Sequence, residues 1–112
     1  MSKTMVRSAK RLLMELNGKR VAAQCMKKLV SSGEASLEAR LKRTLADIEV
    51  TELALGTLSE RDREILTQFY VERDDDYLDR LCGELCCGRS TVYRMKREAM
   101  DRFVLCVFGC ED

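Results

Sequence analysis

Apolar residues recur along the chain at spacings of three and four, which is the period of an amphipathic helix. The first such stripe covers about residues 4–30, with Asn17-Gly18 as a candidate interruption. A second covers about residues 36–55, and a third about residues 60–71. The pattern therefore predicts three helices before residue 72.

Polar and small residues mark the boundaries between these helices. Ser31-Ser32-Gly33 interrupts the apolar pattern, and Gly56 is placed to close the second helix. Ser59 offers an N-cap, and the acids Glu60 and Asp62 follow in the first turn, where a helix dipole favours negative charge. These signals predict that a helix begins directly after Ser59.

Residues 76–100 contain a different pattern, a short apolar-faced helix, a tight turn and a longer helix. Two such helices joined by three residues must pack on each other and on a third, here residues 60–71, to bury their apolar faces. We expect these faces to consist of Leu78, Leu81, Cys82 and Leu85, then Val92, Met95, Ala99 and Phe103.

Composition favours an all-α fold, because proline is absent and Leu, Ala, Met, Glu, Lys and Arg dominate. All six aromatic residues lie beyond residue 68, which predicts that the compact domain is C-terminal. We divide the chain into a basic N-terminal helical arm or hairpin (1–33), a connecting helix (34–57) and a C-terminal three-helix domain (58–112).

The formal charge of +1 conceals a strong division along the chain. Residues 1–45 hold 11 basic and 3 acidic side chains, and residues 46–84 hold 4 basic and 12 acidic ones. Segregation on this scale sets local electrostatic potentials that steer a polyanion to one face of the protein. The alternative explanation of the charge division is a set of solvated helix faces.

The outward face of the helix after residue 88 has the composition of a DNA-contacting surface, with four cations and no acid in residues 88–97. Arg grips a guanine edge with two hydrogen bonds, Ser and Thr contact bases or phosphates, and a helix N-terminus presents free N–H groups to phosphate. The candidate DNA-binding residues are Arg89, Ser90, Thr91, Tyr93, Arg94, Lys96 and Arg97.

These residues carry a resemblance to a known family. The runs Leu58-Ser-Glu-Arg-Asp-Arg-Glu-Ile-Leu, Phe69-Tyr70, Leu81-Cys-Gly-Glu-Leu and Arg89-Ser-Thr-Val-Tyr-Arg resemble region 4 of sigma-70-type transcription factors. Within that group the chain is most similar to the short ArpU/RinA-type regulators of phages and prophages. The resemblance covers about residues 55–105.

The resemblance implies a helix-turn-helix of the winged-helix-like superclass without a wing. Its recognition helix, here from Arg89, would enter the major groove, with Lys96 and Arg97 closer to phosphates. Three features depart from the family pattern. Cys86 stands where the family usually has Gly, Gly83 lies inside a helix, and the acids of Asp74-Asp75-Asp76 lie near the expected phosphates, with Asp76 as a candidate N-cap.

The six cysteines do not indicate a metal site or a disulfide framework, because they fall where small apolar side chains would pack. Two C-x3-C pairs, Cys82/Cys86 and Cys106/Cys110, lack the tighter spacing or the His partners of structural zinc sites. With no His, no Gly-rich phosphate loop and no nucleophile beside a base, we expect neither an enzyme nor a cofactor.

The predicted function is therefore sequence-specific binding of double-stranded DNA by a cytoplasmic transcription regulator, with no membrane association. The alternatives are a module that binds RNA polymerase or another regulator, and a phage protein that recognises DNA for packaging. The N-terminal half would either form a homodimer, as two-fold operators require, or pack on the C-terminal domain.

Overall fold

The structure, a computed structural model, describes residues 3–109, and every regular element in that range is helical. The all-α prediction is thus confirmed for the described residues. None of their helices is long and apolar enough to cross a bilayer. The helices are α1 (Lys3–Met14), α2 (Leu16–Ser31), α3 (Glu38–Thr57), α4 (Glu60–Leu66), α5 (Tyr77–Leu85) and α6 (Arg89–Phe108).

Two shorter elements extend this set. A 3-10 turn, Ala35–Leu37, leads into α3, and a π-helical turn, Thr67–Val71, continues α4. In the π turn the N–H of Glu72 bonds to the carbonyl of Thr67 at 2.8 Å, which closes a wider ring than an α-helix does. The third predicted helix thus has the expected extent but changes its winding after Leu66.

The break in the first predicted helix lies at Glu15, two residues before the Asn17-Gly18 pair. It is a slight interruption, because the N–H of Glu15 still bonds to the carbonyl of Arg11 and the N–H of Lys19 to that of Glu15, both at 2.9 Å. Helix α2 therefore follows α1 with little loss of backbone hydrogen bonding.

The start of α4 is stabilised as its sequence predicts. The Oγ of Ser59 accepts a hydrogen bond from the N–H of Asp62 at 3.2 Å. The Asp62 side chain is also buried, and one of its oxygens accepts a hydrogen bond from Arg102 of α6 at 2.8 Å. This ion pair joins the first turn of α4 to the C-terminal half of α6.

The larger of two hydrophobic clusters lies between α1, the C-terminal half of α3 and the C-terminal half of α6. Phe103 is its largest fully buried side chain. Of the two arrangements left open for the N-terminal half, α1 adopts the one in which its apolar stripe packs on C-terminal helices. The buried members are Ala9, Leu13, Leu16, Ala54, Leu55, Leu58, Leu66, Val71, Ala99, Met100, Phe103 and Val104.

The smaller cluster joins α4, α5 and the N-terminal half of α6. Its buried members are Ile65, Tyr77, Leu81, Val92 and Met95. The expected inner face of α6 is buried at all four predicted positions. On α5 the prediction is wrong for Leu85, which is exposed, and it did not include Tyr77, which is buried. Tyr77 packs edge-on against Phe69, with ring centroids 5.2 Å apart.

Helices α2 and α3 pair along their length as a hairpin, and one end of it, at Leu16, Ala54 and Leu55, belongs to the larger cluster. After Ala23, no residue of α2 is fully buried. Two ion pairs join the helices, Lys19 to Asp47 at 2.9 Å and Arg20 to Glu52 at 3.0 Å. Part of the basic excess of the N-terminal half is thus neutralised within the molecule.

Replacing Phe103 with Ala should destabilise the protein by about 3–5 kcal/mol, because a fully buried ring leaves a cavity where three helices meet. The matched control is Phe108→Ala, in the same helix but 40% exposed, which should cost about 1 kcal/mol or less. Urea unfolding followed by circular dichroism measures both. Equal losses of stability would contradict this account of the core.

Candidate functional site

Three residues, Cys86, Cys87 and Gly88, connect α5 to α6. Cys86 has a left-handed backbone with φ 52° and ψ 44°, the conformation for which glycine is the usual residue. The N–H of Cys87 then bonds to the carbonyl of Cys82 at 3.2 Å, and Gly88 turns to an extended conformation as the N-cap of α6. The chain thus turns from α5 into α6 with Cys86, and not glycine, in the strained left-handed conformation.

The acids before α5 are arranged around Asp74 rather than Asp76. Asp76 lies at the N-cap position, but its side chain caps no N–H. Instead, Asp74 accepts hydrogen bonds from the Asp76 N–H at 3.0 Å and from Arg80 at 2.9 Å. The hydrogen bond from Arg80 is the main reason that the pKa of Asp74 lies below its usual value. One of the three acids is therefore paired with a cation.

The N-terminal half of α6 has one exposed face. Arg89, Tyr93 and Arg97 are spaced by four residues, Ser90, Arg94 and Arg97 by four and three, and all five are exposed. Thr91 lies on another side of the helix and is half-buried. Of the seven candidate residues, these five share the surface that the fold leaves open along α6.

Two of the predicted arginines contact acids of the same chain. Arg89 donates to Asp79 of α5 at 2.7 Å, and both side chains are largely exposed. Arg94 lies 3.8 Å from Glu98, one turn further along α6. Exposed pairs such as these contribute little to stability, so both arginines remain free to exchange partners.

Lys96 has a different environment from the other candidates, because it is half-buried among aromatic rings. Its Nζ lies 4.8 Å from the ring centroid of Phe69, 5.0 Å from that of Tyr93 and 5.7 Å from that of Tyr70. Burial is the main cause that lowers the pKa of Lys96, and the nearby charge of Lys10 adds to it. Lys96 thus packs against the ring of Tyr93 and is less exposed than that ring.

The structure places Lys10, a basic residue of α1, beside α6. Val6 and Lys10 of α1 and Tyr93, Lys96 and Arg97 of α6 line one cleft of about 460 Å³. The remaining lining residues are Tyr70, Met100 and Asp101. No local signal could have shown this neighbourhood, since it arises from the packing of α1 on α6.

The prediction that the cysteines occupy packed apolar positions is right for Cys82 and Cys87 but wrong for Cys25, Cys86 and Cys106, which are exposed. Cys82 and Cys87 are partly buried against the smaller cluster, and Cys86 is exposed. Across residues 3–109, no three Cys, Asp or Glu side chains are grouped closely enough to hold a metal ion. Of the second C-x3-C pair, Cys106 is an exposed free thiol and Cys110 lies outside the described residues.

Comparisons of the chain with protein-family models, with curated proteins and with solved structures found no match.

Replacing Cys86 with Gly should leave the free energy of unfolding unchanged or raise it by up to about 1 kcal/mol. The steric cost of the left-handed backbone is removed, and the extra chain entropy of glycine offsets part of that gain. Cys86→Val should destabilise by about 1–2 kcal/mol, because a β-branched residue fits this backbone poorly.

The control is Cys25→Val, at an exposed position within α2, which should change stability by less than about 0.5 kcal/mol because Cys and Val have similar helix propensities. Thermal unfolding compares the variants. A Cys86→Gly variant that is clearly less stable than the parent chain would contradict the left-handed conformation of Cys86.

Proposed function

We propose that α4, α5 and α6 form a helix-turn-helix module that binds duplex DNA, and that the protein is a sequence-specific transcription regulator. The observation that carries the proposal is the division of α6 into two halves. Its C-terminal half is buried in the larger cluster, and its N-terminal half presents one exposed face that consists of Arg89, Ser90, Tyr93, Arg94 and Arg97. A helix held in this way can enter a major groove without being displaced.

The roles of the side chains follow from their chemistry and their position. Arg89 and Arg94, in the first two turns, would read guanine edges, each with two hydrogen bonds, after exchanging Asp79 or Glu98 for DNA. Ser90 and Tyr93 would contact bases or the neighbouring backbone. Arg97, a turn further along, would bind a phosphate.

The first turn of α6 supports the same proposal. Gly88, at the N-cap, has no side chain to satisfy the N–H groups of the first turn, and these groups have no partner inside the helix. Together with the helix dipole, they favour an anion at this end. Thr91, half-buried on the neighbouring side, would then contact a phosphate at the groove edge.

Acidic residues near the module reduce its attraction for DNA only in part. Asp74 is paired with Arg80, and Asp79 with Arg89. Asp75 and Asp76 are exposed and take part in no ion pair within the described residues. They lie before α5 rather than on α6, so their charges would lower the affinity for all sequences and leave base selection to α6.

Changing Arg89 or Arg94 to Ala should weaken binding to the preferred site by about 1–3 kcal/mol and reduce discrimination between sites. Arg97→Ala should lower the salt dependence of binding by about one unit of slope without changing sequence preference. The preferred site is obtained by selecting bound fragments from the source genome, and fluorescence anisotropy at several salt concentrations then gives affinity and slope.

Arg43→Ala is the matched control, because Arg43 is an exposed arginine of α3 without an ion pair in the described part of the chain. The Arg43→Ala change should alter neither the affinity for the preferred site nor the salt dependence of binding. Binding that shows no sequence preference, or is the same in all four variants, would contradict the proposal. Capture of RNA polymerase core enzyme that survives the Arg89 and Arg94 changes would favour a protein partner in its place.

Asp79→Asn should raise the affinity for DNA of any sequence by about two- to tenfold. It releases Arg89 from its 2.7 Å contact and removes a negative charge beside the proposed interface. Stability should change by less than about 1 kcal/mol, because the pair is exposed. The same binding titrations measure this effect, and a fall in affinity would show instead that Asp79 holds Arg89 in its binding position.

A further inference from the structure

Helix α1 has a basic flank beside its buried stripe. Lys3, Arg7 and Lys10 are spaced by four and three residues, so they lie on one side of the helix, and all three are exposed. None of them forms an ion pair with another described residue. We call this set the α1 basic flank.

The α1 basic flank adjoins the exposed face of α6. Lys10 and Val6 form one side of the 460 Å³ cleft, and Tyr93, Lys96 and Arg97 form the other. Lys3 and Arg7 continue the same surface away from the cleft, where they line a second depression together with Val6 and Lys10. Positive charge therefore extends from the second turn of α6 across to α1.

The charges around the cleft are poorly compensated within the chain. Lys10 lies close enough to Lys96 to help lower its pKa, although burial is the larger cause. The one acid among the residues that line the cleft, Asp101, is half-buried and forms no ion pair in the described structure. An incoming anion would relieve this repulsion, which is the electrostatic character of a phosphate-binding surface.

Other basic residues of the N-terminal half are arranged differently. Lys19 and Arg20 of α2 are paired with Asp47 and Glu52 of α3. Lys27 and Lys28 are exposed, but they lie towards the end of the hairpin, beyond the last buried residue of α2. Among these cations, only the α1 basic flank is both unpaired in the described structure and next to α6.

We propose that the α1 basic flank is a second contact to duplex DNA, which binds backbone phosphates beside the groove that α6 enters. This inference rests on the proposed function, since it takes the position of the duplex from α6. The N-terminal helix would then supply sequence-independent affinity and fix the orientation of α6 on the duplex, while base selection stays with α6.

The test compares two triple variants of the full chain that lose the same charge. Lys3→Ala, Arg7→Ala and Lys10→Ala are combined in the first, and Lys27→Ala, Lys28→Ala and Lys42→Ala, all exposed hairpin residues, in the control. Affinity for the selected site is measured from low to high salt. Thermal unfolding checks that both variants are folded, as expected for exposed substitutions.

The first variant should lose about 2 to 3 units of the salt slope, because each phosphate contact contributes about 0.9, and its affinity at low salt should fall about tenfold or more. The control should lose less than one unit. Hydroxyl-radical footprints of the first variant should lose protection at flanking sugars and keep it at the centre of the site.

The outcomes separate this inference from the proposed function. If the parent chain binds DNA with a preference that depends on Arg89 and Arg94, but the two triple variants have equal slopes, the α1 contact is overturned and the function stands. If the parent chain binds no duplex sequence in preference to any other, both the proposed function and the α1 contact are overturned.

Discussion

The burial of Phe103 and its neighbours beneath α1 and α3 is the contact on which the rest of the structure depends. This contact fixes the C-terminal half of α6, so that the N-terminal half keeps one defined face exposed. The ion pair between Asp62 and Arg102 strengthens the same attachment by tying α4 to α6 at 2.8 Å. The proposed binding to a rigid duplex would gain from this arrangement, since little conformational freedom is left to lose on binding.

The charge division along the chain has two different structural outcomes. Where α2 meets α3, part of the charge is paired, since Lys19 and Arg20 of α2 contact Asp47 and Glu52 of α3. Where α1 meets α6, Lys10, Lys96 and Arg97 form no ion pair in the described structure, so a positive surface remains. Net charge near neutrality is therefore a poor guide to what this protein attracts, because the potential depends on which helices are neighbours.

Several elements could be predicted because their causes are local. Ser59 caps α4 through an N–H three residues away, and the stripe of Val92, Met95, Ala99 and Phe103 needs only the helical period to be recognised as a buried face. The position of α1 could not be predicted in this way. Aromatic content indicated a C-terminal core, but Ala9 and Leu13 are as completely buried as any aromatic residue, because small and branched side chains allow close helix packing.

The sequence by itself determined the helical fold class, the approximate helices and the basic composition of the N-terminal half of α6, since these depend on propensity, periodicity and neighbouring residues. Only the tertiary structure decided which cations are paired, that Lys96 lies among three rings from two segments, and that Lys10 lies beside it. The physical reason is that electrostatic surroundings depend on distances between residues far apart in the chain, and those distances exist only once the helices have packed.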